Sequence, residues 1–241
     1  SVVNVGFRHH AAIIYGGSGN DTIELLNLKD YGPVYGGSGN DSIDASNANY
    51  VQEIWGAEGD DIIIGSLGAD DIRGGTDNDF IDGGANGANQ DWGTPKDVAI
   101  YSGPKVNYTI NTYNKSDTAL TQLMSDLKMD TAKIPDWANY SADQKFVVVK
   151  DKLPDAMGGT GTDILTNVEF IEFQGDRLPL SMEVIKEVDP NTNLEVKRAV
   201  FGTSAADKIE GGAGNDDLNG NDGDDTISGG LGGDRIMPGS G

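Results

Sequence analysis

Carboxylates recur in this chain at a fixed place behind runs of glycine. Asp21, Asp41, Asp61 and Asp79 each close a six-residue stretch: GGSGND at 16–21 and 36–41, GAEGDD at 56–61 and GGTDND at 74–79. A glycine-rich turn leaves its backbone carbonyl oxygens uncovered, and each Asp adds charge. A few carboxylates among many neutral oxygens are the donors of Ca²⁺, which takes roughly six to eight oxygen ligands. If the turns stack at the strand spacing of ~4.8 Å, neighbouring carboxylates repel one another. A divalent cation between each pair removes that repulsion. The expected chemistry is metal binding in which each turn serves the ions above and below it.

Such a ladder needs a repeating backbone to hold it. The frame is nine residues long, G-G-x-G-x-D-x-U-x, with U large and apolar. Copies begin at Gly16, Gly36, Gly56, Gly65 and Gly74, weakly at Gly83, and again at Gly202, Gly211, Gly220 and Gly229. The series runs into PGSG at 238–241, inside a further copy. The glycine half reads as a turn and the x-U-x half as a short strand with U inward. Two turns and two strands make a coil of about 18 residues, and such coils stack into a parallel β-roll. The inward stack is Ile23, Ile43, Ile63, Ile72 and Ile81 in the first block, and Ile209, Leu218, Ile227 and Ile236 in the second. A core this thin is weak without a staple.

Spacing also assigns the two edges of the roll. Gly16, Gly36, Gly56 and Gly74 fall on one edge, Gly65 and Gly83 on the other. The second block divides into Gly202, Gly220 and Pro238 against Gly211 and Gly229. The intervening half-coils LLNLKDYGPVY and ASNANYVQEIW lack the motif, so the first coils are expected to hold metal on one edge only.

These copies resemble the RTX (repeats-in-toxin) calcium-binding β-roll modules of secreted bacterial proteins, whose nonapeptide has this form. In such modules one turn gives the carbonyls of positions two and four with its Asp. The next turn on that edge gives the carbonyls of positions one and three with its Asp. The resemblance therefore implies a first site of Gly17, Gly19 and Asp21 with Gly36, Ser38 and Asp41. It implies a second of Gly37, Gly39 and Asp41 with Gly56, Glu58 and Asp61, and a third of Ala57, Gly59 and Asp61 with Gly74, Thr76 and Asp79. On the other edge Ser66, Gly68 and Asp70 face a copy with Ala88 where Asp belongs, and Asp97 stands in for the missing ligand. In the second block Thr203, Ala205 and Asp207 pair with Gly220, Asp222 and Asp225, and Gly212, Gly214 and Asp216 with Gly229, Leu231 and Asp234. The resemblance further implies export through type I secretion machinery, unfolded at low cytosolic calcium, and folding outside the cell.

Residues 1–96 thus read as a first roll, 97–200 as an inserted β-rich domain, and 201–241 as a second roll; the class is all-β. The insertion holds strand-like runs at 97–103, 106–113, 145–151 and 168–180. SDTALTQLMSDLKM at 116–129 has helical spacing, with Leu120, Leu123, Met124 and Leu127 on one stripe. GGTGTD at 158–163 fits the nonapeptide frame, so Asp163 is a candidate for a lone calcium. DVAIYSG and GTDILTNVEFIEF resemble an RTX-associated pair that opens and closes a β insertion. Residues 184–200 read as two strands around a turn at Asp189-Pro190.

Composition bounds the rest. Lys plus Arg number 17 against 39 Asp plus Glu, for a net charge of -22, which disfavours nucleic acid and anionic membrane surfaces. No apolar run approaches the roughly 20 residues of a membrane span. Cysteine is absent, so neither disulfides nor thiolate metal sites exist. Ser1 follows no leader pattern, which reads as a piece of a longer chain. His9 and His10 are the only histidines and no nucleophile motif accompanies them, so no enzyme is expected here. Tyr15, Tyr35 and Trp55 each precede the first glycine of a copy. With Ile14, Val34 and Ile54 inward, they form an outer aromatic ladder that either stacks on itself or meets a glycan or cell surface. The favoured reading is a calcium-folded module of a large adhesin. A non-catalytic RTX part of a secreted hydrolase or epimerase is the alternative.

Overall fold

A computed structural model describes residues 2–5, 13–26, 32–49, 51, 53–85, 96–135, 137–153, 159–174, 176–180, 183–188, 195–203 and 205–241. His9, His10, Ala88 and the Asp189-Pro190 turn lie outside the described residues. The chain divides into two compact units, one of residues 1–168 and 172–175, the other of residues 169–171 and 176–241.

In the first unit the repeat folds as two facing parallel walls. One wall is β1 (Val2–Val5), β3 (Thr22–Leu25), β5 (Ser42–Asp44), β7 (Ile62–Ile64) and β9 (Phe80–Asp82). The other is β2 (Ile14–Ser18), β4 (Val34–Ser38), β6 (Glu53–Glu58), β8 (Asp71–Thr76) and β10 (Val98–Tyr101). Register follows the nine-residue frame: Ile23, Ile43, Ile63 and Ile81 pair in line on one wall, and Ile14, Val34, Ile54 and Ile72 on the other. All eight are buried, each contributing about 2 kcal/mol of apolar burial.

The insertion closes this roll by changing strand direction. β11 (Tyr108–Asn114) and β12 (Lys145–Asp151) pair antiparallel, and β12 pairs antiparallel with β13 (Thr162–Thr166). β13 then lies parallel on β9, with Ile164 opposite Phe80 and Leu165 opposite Ile81. Helix α1 (Thr118–Asp126) covers the outer face of this wall. Leu120 and Met124 are buried with Ile64, Phe80, Phe146, Val148 and Ile164, and Leu123 and Leu127 pack at the rim. Asp117 stands at the N-cap of the helix, and its carboxylate accepts the Asn114 amide instead of capping the first turn. Sequence explains the docking place. Outer positions are polar in the early coils (Thr22, Glu24, Ser42, Asp44) and apolar where the helix sits (Ile62, Ile64, Phe80).

Beyond these lie β14 (Phe170–Phe173) and β15 (Asp176–Pro179). The second unit holds the antiparallel pair β16 (Glu183–Val188) and β17 (Glu195–Phe201). Strand β17 runs parallel to β19 (Asp217–Asn219), and β19 to β21 (Arg235–Met237). The facing wall is β18 (Lys208–Ala213) beside β20 (Thr226–Leu231). Val200, Ile209 and Leu218 are buried between them with Ile227 at the rim. Ile236, expected inward, is 44% exposed, because no further coil covers it among the described residues.

Turn positions two and four take positive φ in the copies that start at Gly16, Gly36, Gly56 and Gly74. Ala57 fills one of them at φ 92° where its stacked neighbours Gly37 and Gly75 are glycine. A side chain in this region costs about 1–2 kcal/mol. Ala57→Gly is therefore expected to stabilise the first unit by about 1 kcal/mol, read as a higher urea midpoint in calcium.

Candidate metal centre

The turns on the first edge are tied together by their carboxylates. The Asp21 amide donates to Asp41 Oδ1 at 2.8 Å, Asp41 to Asp61 Oδ1 at 2.7 Å, and Asp61 to Asp79 Oδ1 at 2.9 Å. The staircase continues beyond the repeat: the Asp79 amide donates to Asp163 Oδ1 at 3.0 Å. One oxygen of each Asp thus binds the turn below. The other, Oδ2, lies against the first glycine of its own copy, as Asp41 does with Gly36. In Asp41, Asp61 and Asp79 this Oδ2 is buried without a hydrogen-bond partner.

The carbonyls converge on the same gaps. A Cβ on Gly16 would run into the Gly36 carbonyl, and one on Gly37 into the Gly17 carbonyl. Position one of an upper turn therefore points down, and position two of a lower turn points up. A Cβ on Gly39 would crowd the Gly19 carbonyl, and the Ser38 carbonyl accepts the Gly19 amide at 2.7 Å. Each gap is thus bordered by carbonyls two and four from below, one and three from above, and the Asp side chains. These are the atoms assigned from sequence to Gly17, Gly19, Gly36 and Ser38, and by the same stacking to Gly37, Gly39, Gly56 and Glu58. The set of Ala57, Gly59, Gly74 and Thr76 continues it, with Gly75 stacked on the Ala57 carbonyl. An orphaned carboxylate oxygen beside hard carbonyl oxygens fits a Ca²⁺ donor set. Among the described residues no three His, Cys, Asp or Glu side chains form a metal cluster; the donors here are mainly backbone.

The other edge is built differently. Asp70 accepts the Ser66 amide at 2.6 Å and the Ser66 hydroxyl at 2.9 Å, and that hydroxyl accepts the Gly68 amide. The Asp70 amide donates to Asp97 Oδ1 at 2.8 Å, and Asp97 Oδ2 lies against Gly83. Asp97 takes the place of the sixth copy's missing Asp. In the second unit Asp207 is likewise closed by the Thr203 amide and hydroxyl. Asp207 and Asp216 donate their amides to Asp225 and Asp234 at 2.9 and 3.0 Å. Gly223 stacks on the Ala205 carbonyl, Gly230 on Gly212 and Gly232 on Gly214, so the sets containing Gly220, Asp222, Gly229 and Leu231 face their assigned partners. A serine or threonine at position two, as in Ser66 and Thr203, is the sequence signal for a copy whose Asp is closed within its own turn.

Burial raises the proton affinity of the ladder. Desolvation is the main cause for Asp41, which is raised, and for Asp61, pushed up to about 8 with Asp41, Asp60 and Asp77 adding repulsion. Asp70 rises to about 7, chiefly by desolvation, against the hydrogen bonds from Ser66. A carboxyl with a raised folded-state pKa stabilises the fold fully below its unfolded value near 3.8, and that stability is lost as pH rises through about 8. In chelator, β-sheet circular dichroism is therefore expected to be stronger at pH 5 than at pH 8.5, and millimolar calcium to erase the difference.

The aromatic ladder faces outward as expected, with Tyr15 66% exposed. Tyr15 and Tyr35 stack at 5.0 Å and 10°, Trp55 follows at 6.0 Å, and the Arg73 guanidinium closes the row 4.4 Å from the Trp55 ring. Tyr15 and Tyr35 turn a ring face toward each other, and Trp55 turns one toward Arg73.

Residues 13–25, 34–49, 55–86 and 201–236 match the RTX calcium-binding nonapeptide repeat, in four copies. The chain carries RTX repeats, and these bind multiple Ca²⁺ ions. None of the curated proteins matches the chain. Among solved structures, the extracellular lipase LipA from Serratia marcescens is similar at 15% identity and a TM-score of 0.22, over 97% of this chain and 28% of the lipase. The chain thus spans less than a third of that lipase's length.

Proposed function

We propose that these RTX repeats make the chain a calcium-folded module of a larger secreted or surface-exposed bacterial protein. The observation that carries this reading is the staircase Asp41–Asp61–Asp79, whose inner oxygens are buried and unpartnered beside converging carbonyls. Three ions occupy the gaps between the turns that start at Gly16, Gly36, Gly56 and Gly74. A further ion lies at Asp216 with Asp234, whereas Asp70 and Asp207 are closed by hydrogen bonds from their own Ser66 and Thr203. At low calcium these carboxylates oppose folding and keep the chain open for type I export. At millimolar calcium the ions remove the repulsion and the roll closes outside the cell. We place the module in a protein of adhesin type; a secreted hydrolase or epimerase carrying it as a non-catalytic part is the other parent.

Small-angle scattering tests the reading. In chelator the radius of gyration should be roughly 50 Å, as for an unfolded chain of this length, and it should fall by about two thirds in 5 mM calcium. A compact chain in chelator at pH 8 would remove the export role.

A glycan-binding role has one observation in its favour. A cleft of ≈ 580 Å³ lies beside the aromatic row, lined by Trp55, Arg73, Glu58, Thr160, Glu172 and Gln174 among others. Retardation on a glycan affinity gel that Trp55→Ala abolishes would support it; no retardation of the unaltered chain would exclude it.

A further inference from the structure

The repeat does not end where its sequence copies end. Asp79 closes the last good copy of the first block, and Asp163 lies 84 residues later, across the insertion. Four contacts that define a rung recur between them. The Asp79 amide donates to Asp163 Oδ1, as Asp41 does to Asp61. The Ile164 amide donates to the Asp79 carbonyl at 2.8 Å, as Phe80 does to Asp61. The Thr162 amide donates to Asn78 Oδ1 at 3.1 Å, as Asn40 does to Asn20. Gly161 has φ 78° and stacks on the Asp77 carbonyl, as Gly39 stacks on Gly19.

The gap so formed is bordered by oxygen donors of the kind a hard cation takes. Asp79 is fully buried, its Oδ2 has no hydrogen-bond partner, and it lies against Gly74 beneath the Asp163 rung. Asp163 is buried above it, and the Asp77 carbonyl points upward to Gly161. Asp151, at the end of β12, fixes the returning segment by accepting the Thr160 amide at 3.1 Å.

We infer that Asp79 and Asp163, with the carbonyl of Asp77, form a further calcium site that joins the insertion to the roll. This rests on the proposed calcium-folding function and extends it to a segment outside the repeat match. The ion makes closure of β13 onto β9, and so seating of the insertion's core against Phe80 and Ile164, dependent on calcium.

Native mass spectrometry and hydrogen exchange of the full chain in saturating calcium test this with Asp163→Asn and Asp163→Ser. The expected result is one ion fewer than the unaltered chain in both variants. Amides of β12 and β13 should exchange at least tenfold faster while those of Ser42 and Ile62 keep their protection. An unchanged ion count overturns the inference, whatever the exchange at β13, and leaves the calcium-folding reading standing. Loss of protection at Ser42 and Ile62 in both variants also overturns it, because Asp163 would then support the whole unit rather than one ion. An unaltered chain that binds no calcium removes both readings.

Discussion

Gly37→Ala is expected to destabilise the first unit strongly at calcium concentrations that saturate the unaltered chain. Gly37 has φ 119°, which side chains avoid, and a Cβ there would overlap the Gly17 carbonyl. That carbonyl borders the first metal gap, so it cannot swing away without losing a ligand. Torsional strain and the clash together should cost about 3–5 kcal/mol, against a total stability on the order of 5–15 kcal/mol for a domain. Gly17→Ala is the matched control. Its φ of 110° is similar, but among the described residues no atom lies within 4 Å of a Cβ placed there. It should cost only the torsional part, about 1–2 kcal/mol. Urea unfolding in calcium separates the two; equal costs would mean that the turns are not stacked as described.

Asp61→Asn should raise the calcium concentration for half-folding by roughly tenfold or more, since ligand charge sets affinity at such sites. Asp61 borders two gaps: its Oδ1 accepts the Asp41 amide at 2.7 Å and its buried Oδ2 lies against Gly56. Asparagine keeps the shape and one acceptor but removes the charge shared by two ions. Calorimetric titration should show two sites weakened together. In chelator the sign reverses: with one buried carboxyl gone, the metal-free chain should lose less β signal between pH 5 and pH 8.5. Asp60→Asn, at the exposed neighbour, should leave the calcium midpoint within about twofold, as for most surface changes.

The repeat could be read from the sequence because each copy carries its whole specification: glycines at the positive-φ positions, an Asp to tie turns, and an apolar residue to fill the wall. Ile23, Ile43, Ile63 and Ile81 are buried for that reason. Asp97 could be found because the sixth copy visibly lacks its own Asp. The fifth rung was harder. GGTGTD fits the frame, but with no adjacent copy in sequence Asp163 read as isolated; only the antiparallel strands β11 and β12 bring it back over Asp79. The helix's docking face was written in Ile62, Ile64 and Phe80, apolar at outer positions where the preceding coils carry Thr22, Glu24, Ser42 and Asp44. Self-closure of Asp70 by Ser66 and Asp207 by Thr203 depends on a hydroxyl at position two, a local hydrogen bond that competes with the frame's metal chemistry.

The central claim is that calcium, by joining the stacked carboxylates, folds this chain. Far-UV circular dichroism at pH 8, begun in chelator and titrated with Ca²⁺ and separately with Mg²⁺, tests it most directly. A cooperative rise of β signal with Ca²⁺ and none with Mg²⁺, which demands a tighter octahedral site, is the predicted result. Full β signal in chelator, unchanged by calcium, would contradict the account.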